Sequence, residues 1–147
     1  MLKLSTGLRD YMAVTGSLRA ALGSCVLKIY AGTEPATADA SIGSATLLCT
    51  ITTGGDGTTP LAWEATASSG VLLKDITDVW QGTNAASGTA SFFRFQTIAD
   101  ANASSTTAVR IQGLCAVAGA ELNLSSLTLT SAATQTIDNF ALTVPAQ

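Results

Sequence analysis

Histidine is absent from this 147-residue sequence. Because histidine is the commonest general base and the commonest metal ligand, the chain cannot build a Ser-His-Asp or Cys-His catalytic group. One pair of acids, Asp75 and Asp78, lies beside Trp80 and suggests acid–base chemistry. Aspartate is common in turns for its backbone hydrogen bonds, so we expect a turn there. We expect no catalytic residue, no cofactor and no metal in this chain.

Charged residues are scarce, at 12% of the sequence with a net charge of −3, where an average domain has about 25%. The seven basic residues are scattered singly. Phosphate binding depends on clustered Lys and Arg, so we expect no nucleic-acid partner. Interface cores are depleted of charge, so this composition favours a surface that neighbouring protein subunits cover. A secreted β-protein with a solvated, Thr/Ser-rich face is the alternative.

Long hydrophobic runs are missing as well. None approaches the roughly 20 residues of a membrane-spanning helix, so we expect no membrane partner. Residues 1–19 are interrupted by Lys3, Arg9, Asp10 and Arg19, whereas a signal peptide needs an uninterrupted apolar core. We therefore expect synthesis and assembly in a host cytoplasm.

Cysteine occurs at Cys25, Cys49 and Cys115, without a CxxC motif. Each of these residues falls in a strand-like run, where a free thiol behaves as a small buried hydrophobe. We therefore expect all three cysteines to pack in the core. One disulfide between two of them is an alternative that the spacing does not favour.

Residues 1–23 have helical periodicity and are predicted to form a helical arm. Ser5 or Thr6 can cap a first helix, and Ser17 can cap a second after Gly16. The sequence therefore predicts two short helices or one kinked helix. Since a short helix is marginal alone, its apolar stripe must be covered by the same domain or by a neighbour. The stripe begins with Leu4, Leu8, Tyr11 and Met12.

From residue 24 onward the apolar period changes from helix to strand. The predicted strands cover residues 25–31, 45–52, 61–67, 71–73, 89–98, 109–117, 121–130 (with a bend at 125–126) and 135–144. Short strands separated by small-residue turns are typical of a sandwich or jelly roll. We therefore predict an all-β fold, with a β-sandwich or jelly-roll-like domain of about eight strands over residues 24–147 and a short N-terminal helical segment.

Two predicted strands carry unusual side chains. In 89–98, Phe93 and Phe95 share one face while Phe92 and Arg94 share the other, so the strand is either covered on both faces or meets a partner on one. In 109–117 the apolar residues alternate with Arg110 and other polar or small residues, which predicts a half-buried strand. The residues expected to contact a partner are Leu4, Leu8, Tyr11, Met12, Trp80 and Phe92.

Several segments of the sequence together point to a known family. They are residues 4–9 (LSTGLR), 27–36 (LKIYAGTEPA), 38–40 (ADA), 79–90 (VWQGTNAASGTA), 110–113 (RIQG) and 135–138 (QTID). Through them the chain resembles a family of small virion-associated proteins of tailed bacteriophages and prophages, nearly from end to end. The resemblance implies a structural subunit of a virus particle, with no catalytic residues carried over.

Within a particle, the expected role is a capsid decoration or cement protein that stabilises the shell. Its expected partners are virion proteins such as the major capsid protein and further copies of itself, with a trimer as one expected oligomer. The first alternative is a component of the tail, collar or baseplate. A second is a carbohydrate- or receptor-binding module that uses Trp63 or Trp80 as a stacking platform. A third is a hydrolase that uses Asp75 and Asp78.

Overall fold

The N-terminal residues form two short helices separated by a single π-helical turn. In chain order these are α1 (Thr6–Asp10), the turn (Tyr11–Thr15) and α2 (Leu18–Leu22). The hydroxyl oxygens of Ser5 and Ser17 each accept a hydrogen bond from an amide in the first turn of the helix that follows. Of the alternatives left open by the sequence, the structure has two short helices, with Ser5 rather than Thr6 as the first cap, Ser17 as the second and a break at Gly16.

The computed structural model describes residues 1–144, and strands dominate it. Strands make up 37% of the described residues and helices 10%, so the prediction of an all-β fold with a short helical segment is confirmed. The strands are β1 (Lys3–Leu4), β2 (Cys25–Ala31), β3 (Thr46–Thr53), β4 (Val71–Leu73), β5 (Trp80–Thr83), β6 (Gly88–Thr89), β7 (Phe92–Thr97), β8 (Ile111–Ala116), β9 (Leu122–Asn123), β10 (Thr128–Leu129), β11 (Thr134–Ile137) and β12 (Ala141–Thr143).

One large sheet organises these strands. Its order is β1-β8-β7-β2-β3-β5-β11, with β9 beside β8 in parallel. Two small antiparallel ribbons, β4–β12 and β6–β10, complete a sandwich-like arrangement. Strand β7 lies between β2 and β8, which makes it a central strand.

The hydrophobic core lies on one face of the large sheet. Phe95 of β7 is flanked in register by Leu27 and Ile111. Its ring lies 5.4 Å from that of Trp63 and 5.1 Å from that of Phe140, centroid to centroid. Leucines from ribbon β4–β12 and from both helices close the same core, namely Leu8, Leu22, Leu72 and Leu142.

Residues 1–23 are an integral part of this domain rather than a projecting arm. Lys3 and Leu4 pair with β8 as an edge strand that the periodicity of the sequence did not indicate. Leu8 and Leu22 are fully buried. The apolar stripe of the helices is therefore covered by the same domain. Among residues 1–144, no helix has the length and hydropathy that a bilayer span requires.

Two of the strand predictions are wrong in part. Residues 61–67 make only a single bridge, between Trp63 and Lys74, because the chain turns back through the tight turn at 68–71. Residues 135–144 form two strands, β11 and β12, which pair with different partners. The predicted bend at 125–126 is confirmed, since it separates β9 from β10. Pro145, which follows the last predicted strand, lies outside the described residues.

Strand β5 lies so close to its neighbour β3 at Gly82 that there is no room for a side chain. A Cβ atom there would lie 2.0 Å from the carbonyl oxygen of Thr50. We expect Gly82→Ala to lower the free energy of unfolding by about 3 kcal/mol or more, because two backbones would have to separate. Urea denaturation measures this change.

Gly23→Ala is the matched control. Gly23 has a φ of −63°, and a Cβ there would meet only ordinary neighbours, at 3.4 Å or more. Its free energy of unfolding should change by less than about 1 kcal/mol. Equal effects from the two substitutions would contradict the close approach of β3 and β5 at Gly82.

Candidate functional site

Three of the six residues predicted to contact a partner are buried in the chain's own core. Leu8, Trp80 and Phe92 are all essentially inaccessible to solvent. Leu8 packs in the core beneath the large sheet, and the indole of Trp80 donates a hydrogen bond to the carbonyl of Ala62 at 3.2 Å. Phe92 stacks on Tyr30 with ring centroids 5.0 Å apart. The prediction that these three contact a partner is wrong, because the domain itself covers them.

The other three predicted contact residues keep some exposed surface. Leu4 is 37% exposed on the edge strand β1. Tyr11 and Met12 are half-buried and pack against the core. These residues remain candidates for contact with a partner.

Neither tryptophan offers a stacking platform for a sugar ring. Trp63 and Trp80 lie edge to face with each other, with ring centroids 4.9 Å apart, and both are buried. Lys74 places its ammonium 5.7 Å from the centre of the Trp80 ring. The stacking surface expected for a carbohydrate-binding module at these positions is therefore not present.

The face of the sheet opposite the core carries buried polar side chains. We call this set the polar layer; it consists of Arg94, Gln96, Arg110 and Gln112, all fully buried. The prediction of a half-buried strand at 109–117 is therefore wrong for Arg110 and Gln112. Two loops, residues 32–45 and 98–109, lie over these side chains and exchange hydrogen bonds with them. Strand β7 is thus covered on both faces by its own chain.

Arg110 holds both loops to strand β8. Its Nε and Nη2 donate to the two carboxylate oxygens of Asp100 at 2.6 and 2.7 Å, a bidentate ion pair. Nη2 also donates to the carbonyl of Ala103 at 2.8 Å, and Nη1 to that of Ala38 at 3.3 Å. Burial alone would raise the pKa of Asp100, but the hydrogen bond and positive charge of Arg110 outweigh it and lower the pKa.

Arg94 is the second cation of the polar layer, and it has no carboxylate in contact. Its Nε donates to the side-chain oxygen of Gln112 at 3.1 Å, and its Nη2 to the carbonyl of Ala40 at 3.1 Å. Gln112 in turn donates to Glu34 at 3.2 Å. Burial, with the nearby charge of Arg110, lowers the pKa of Arg94 to about 10. Arg94 therefore joins β7 to the loop 32–45 at the cost of burying a charge.

Helix α1 is tied to the same two loops. The amide and hydroxyl of Thr6 donate to the two oxygens of Asp39 at 2.8 and 2.6 Å. The hydroxyl of Ser5 donates to the carbonyl of Ala108 at 2.7 Å and accepts from the amide of Arg110 at 2.9 Å. The hydrogen bond from Thr6 lowers the pKa of Asp39. The start of the chain, both loops and the sheet thus form one hydrogen-bonded unit.

Asp75 and Asp78 hold turns, as expected from the sequence. Asp75 accepts hydrogen bonds from the amide and hydroxyl of Thr77 at 2.8 and 2.7 Å, which lower its pKa. Asp78 accepts from the hydroxyl of Thr53 at 2.7 Å and from the amide of Ala62 at 3.1 Å. Their carboxylates stabilise the chain around β5.

The three cysteines are free and buried, as expected from the sequence. Burial raises the pKa of the Cys25 and Cys115 thiols to about 12 and that of Cys49 to about 11. The thiolate is the reactive form, so these residues serve packing at neutral pH. Within residues 1–144, no three or more His, Cys, Asp or Glu side chains are grouped to hold a metal ion.

The exposed surface combines few charges with several apolar side chains. Of the seven basic residues, only Arg9 and Arg19 are exposed; the others are buried or, in the case of Lys3, half-buried in an ion pair with Glu34. The most exposed apolar side chains are Met1, Val14, Ile76, Val79, Val117 and Val144. A surface poor in charge and with exposed aliphatic side chains has the composition of a protein–protein contact surface.

The surface contains a groove of about 750 Å³ beside strand β12. We call it the β12 groove. Its lining includes Glu64, Leu73, Ile76, Asn123, Asp138 and Ala141. None of these residues was predicted from the sequence to contact a partner, because each lies in or next to a short strand or turn whose neighbours are distant in the chain.

Comparisons with known proteins add no further assignment. No family model, curated protein or solved structure matches this chain. The candidate sites are therefore the β12 groove and the exposed apolar surface, as argued from the geometry.

The buried ion pair of the polar layer can be tested by substitution. The Arg110 and Asp100 side chains are 1% and 6% exposed. We expect Asp100→Asn to lower the free energy of unfolding by about 3–5 kcal/mol, because it leaves a buried guanidinium unpaired. Urea denaturation at neutral pH measures this loss.

Asp138→Asn is the control, since Asp138 is exposed and its substitution should change stability by no more than about 0.5 kcal/mol. A similarly small effect of Asp100→Asn would mean that the ion pair does not hold the two loops.

Proposed function

We propose that this chain is a structural, non-enzymatic subunit of a tailed-bacteriophage virion that decorates the capsid shell. In this role it binds further copies of itself and the major capsid protein. The setting in a virus particle comes from the sequence resemblance across residues 4–138. The site of assembly is the host cytoplasm, and the chain then stays in the particle.

The observation that carries this proposal is the composition of the exposed surface. A freely diffusing protein usually keeps dense charge on its surface for solubility. This chain instead buries or pairs five of its seven cations and exposes aliphatic side chains such as Val14, Val79 and Val117. Protein interfaces have this composition, because charge is depleted where surfaces meet.

The rigidity of the domain supports the same role. The polar layer fixes loops 32–45 and 98–109 to the sheet, so their outer surfaces are already ordered before any contact forms. A preformed surface loses less entropy on binding than a mobile one. An interface of about 800 Å² per partner is enough for specific binding, and many symmetric copies on a shell add avidity.

Particles made with and without the gene test this proposal. Mass spectrometry of purified particles should detect the chain in many copies, and electron cryomicroscopy should place it on the capsid shell. Particles without it should release DNA at a lower temperature, because the contacts that bridge capsid subunits are gone. Adding the purified chain back should restore the original temperature.

An unrelated β-domain of similar size, added in the same amount, is the control and should have no effect. Location in the tail, collar or baseplate would contradict the proposed decoration of the shell. Absence from purified particles would contradict a virion role altogether.

A further inference from the structure

The large sheet ends on one side in a strand with an open edge, β11. Within residues 1–144, this strand pairs only with β5, without a register shift. At the opposite end of the sheet, β1 is two residues long and carries Lys3, whereas β11 is four residues long and has no charged residue. Many proteins protect such an edge with lysine, proline or a bulge. Strand β11 has none of these, so another strand can pair with it.

The outward-facing backbone groups of β11 belong to Thr134 and Thr136. Asn84 donates its amide hydrogen to the carbonyl of Ala133 at 2.9 Å, so the backbone groups of Ala133 face β5. The N–H and C=O of one strand residue point the same way, and those of successive residues alternate in direction. The groups of Gln135 therefore also face β5, and those of Thr134 and Thr136 point away from it.

The other side of β5 leads to the same assignment. Gly54 donates to the carbonyl of Val79 at 2.8 Å, so the backbone groups of Val79 face β3. Those of Gly82, three residues further on, therefore face β11, where Gly82 is opposite Gln135 in register. The side-chain amide of Gln135 donates to the carbonyl of Thr136 at 3.1 Å. This carbonyl is thus accessible from outside the sheet.

This edge is complementary to a second copy of itself. In a two-fold arrangement centred on Gln135, Thr134 of one copy lies opposite Thr136 of the other, and the two residues exchange N–H···O=C hydrogen bonds. Because the axis repeats this exchange, the two copies share about four such bonds. Gln135 then lies opposite its own counterpart, as a pair without hydrogen bonds between the two residues.

The charges near the edge fit the same arrangement. Asp138 is the one charged residue in 130–140, and the two-fold axis places it opposite Ala132 of the second copy rather than opposite another carboxylate. Thr83 lies beside Thr134 in register, so the threonine of the second copy extends a row of uncharged side chains. Cross-strand threonine pairs stabilise antiparallel strands, and like charges directly opposite each other destabilise them. An uncharged, self-complementary edge therefore fits a second copy better than a charged partner.

We propose that two copies of this chain pair along β11 about a two-fold axis, so that their large sheets join into one continuous sheet. This proposal rests on the self-association included in the role proposed above, and it names the strand that mediates it. Strand β11 has only four residues, and the contact is smaller than the roughly 800 Å² per partner of a stable interface. Isolated copies therefore associate weakly, and the contact is stronger where a shell holds neighbouring copies together.

A cysteine at the centre of the contact tests this proposal. Residues that face each other without mutual hydrogen bonds in an antiparallel pair have Cα atoms about 4.5 Å apart, a separation that a disulfide can bridge. Gln135→Cys should therefore form a disulfide-linked dimer of the isolated chain under mild oxidation, as measured by non-reducing electrophoresis and mass spectrometry. The three native cysteines are buried, so they do not contribute to this cross-link.

Thr136→Cys is the matched control. Thr136 is more exposed than Gln135, but in the proposed pairing it lies opposite Thr134 rather than opposite its own counterpart. Two cysteines at position 136 are therefore too far apart for a disulfide, and this variant should cross-link at least about tenfold more slowly than Gln135→Cys.

A second variant tests the backbone pairing. Adding Thr136→Pro to Gln135→Cys removes one outward N–H from each copy and leaves the bonds to β5 intact, and proline is tolerated at such edge positions. Cross-linking should slow about tenfold, because hydrogen bonds between the copies are lost. Thr134→Pro takes the place of Thr136→Pro if circular dichroism shows that the latter does not fold.

Three results would overturn the proposal. They are no linked dimer from Gln135→Cys even in concentrated solution, equal cross-linking of Gln135→Cys and Thr136→Cys, and cross-linking that the added proline leaves unchanged. The first would mean that the edge pairs with a different protein or with none. Because the assay uses the isolated chain, its failure would not affect the proposed location on the shell, and absence of the chain from particles would not affect this contact.

Discussion

The bidentate ion pair between Arg110 and Asp100 joins the central sheet to the loops on its second face. The large sheet has two faces, and the main hydrophobic core lies on one of them. Loops cover the other face, and loops bring carbonyl groups that need donors once they are buried. The guanidinium of arginine supplies several donors in fixed directions, which explains why Arg94 and Arg110 lie under these loops, beside the buried rings of Tyr30 and Phe92.

The same arrangement links the fold to the proposed role. Drawing Arg94 and Arg110 into the polar layer, and Lys28 and Lys74 beneath neighbouring segments, leaves the outside of the domain with few cations. A charge-poor exterior is favourable where other subunits cover it and unfavourable for a dispersed protein. The polar layer and the charge-poor contact surface therefore have the same cause, namely that most of the cations are buried.

The sequence predicted elements wherever local chemistry determines them. Ser5, Ser17 and Gly16 marked the helices, and the apolar run Cys25–Ala31 marked β2 to the residue. Prediction from the sequence failed where the environment of a residue depends on segments that are distant in the chain. The alternation of apolar and polar residues in 109–117 is the same for an arginine that faces water and for one that is covered by a loop. The size of Trp80 and Phe92 indicated a large contact area, but not whether the contact is with a partner or with the same domain. The β12 groove joins segments around residues 64, 123 and 141, so no local pattern could reveal it.

The most direct test of whether the two loops stay closed over the polar layer is the hydrogen exchange of their amides. The amides of Asn102 and Ser105 donate to Asp100 and to the backbone of Asp39, at 2.8 Å each. Both amides should exchange nearly as slowly as those of strand β7, because opening either loop would expose a buried ion pair. Exchange as fast as that of the exposed residues 65–67 would contradict it, since the second face of the sheet would then be open to water.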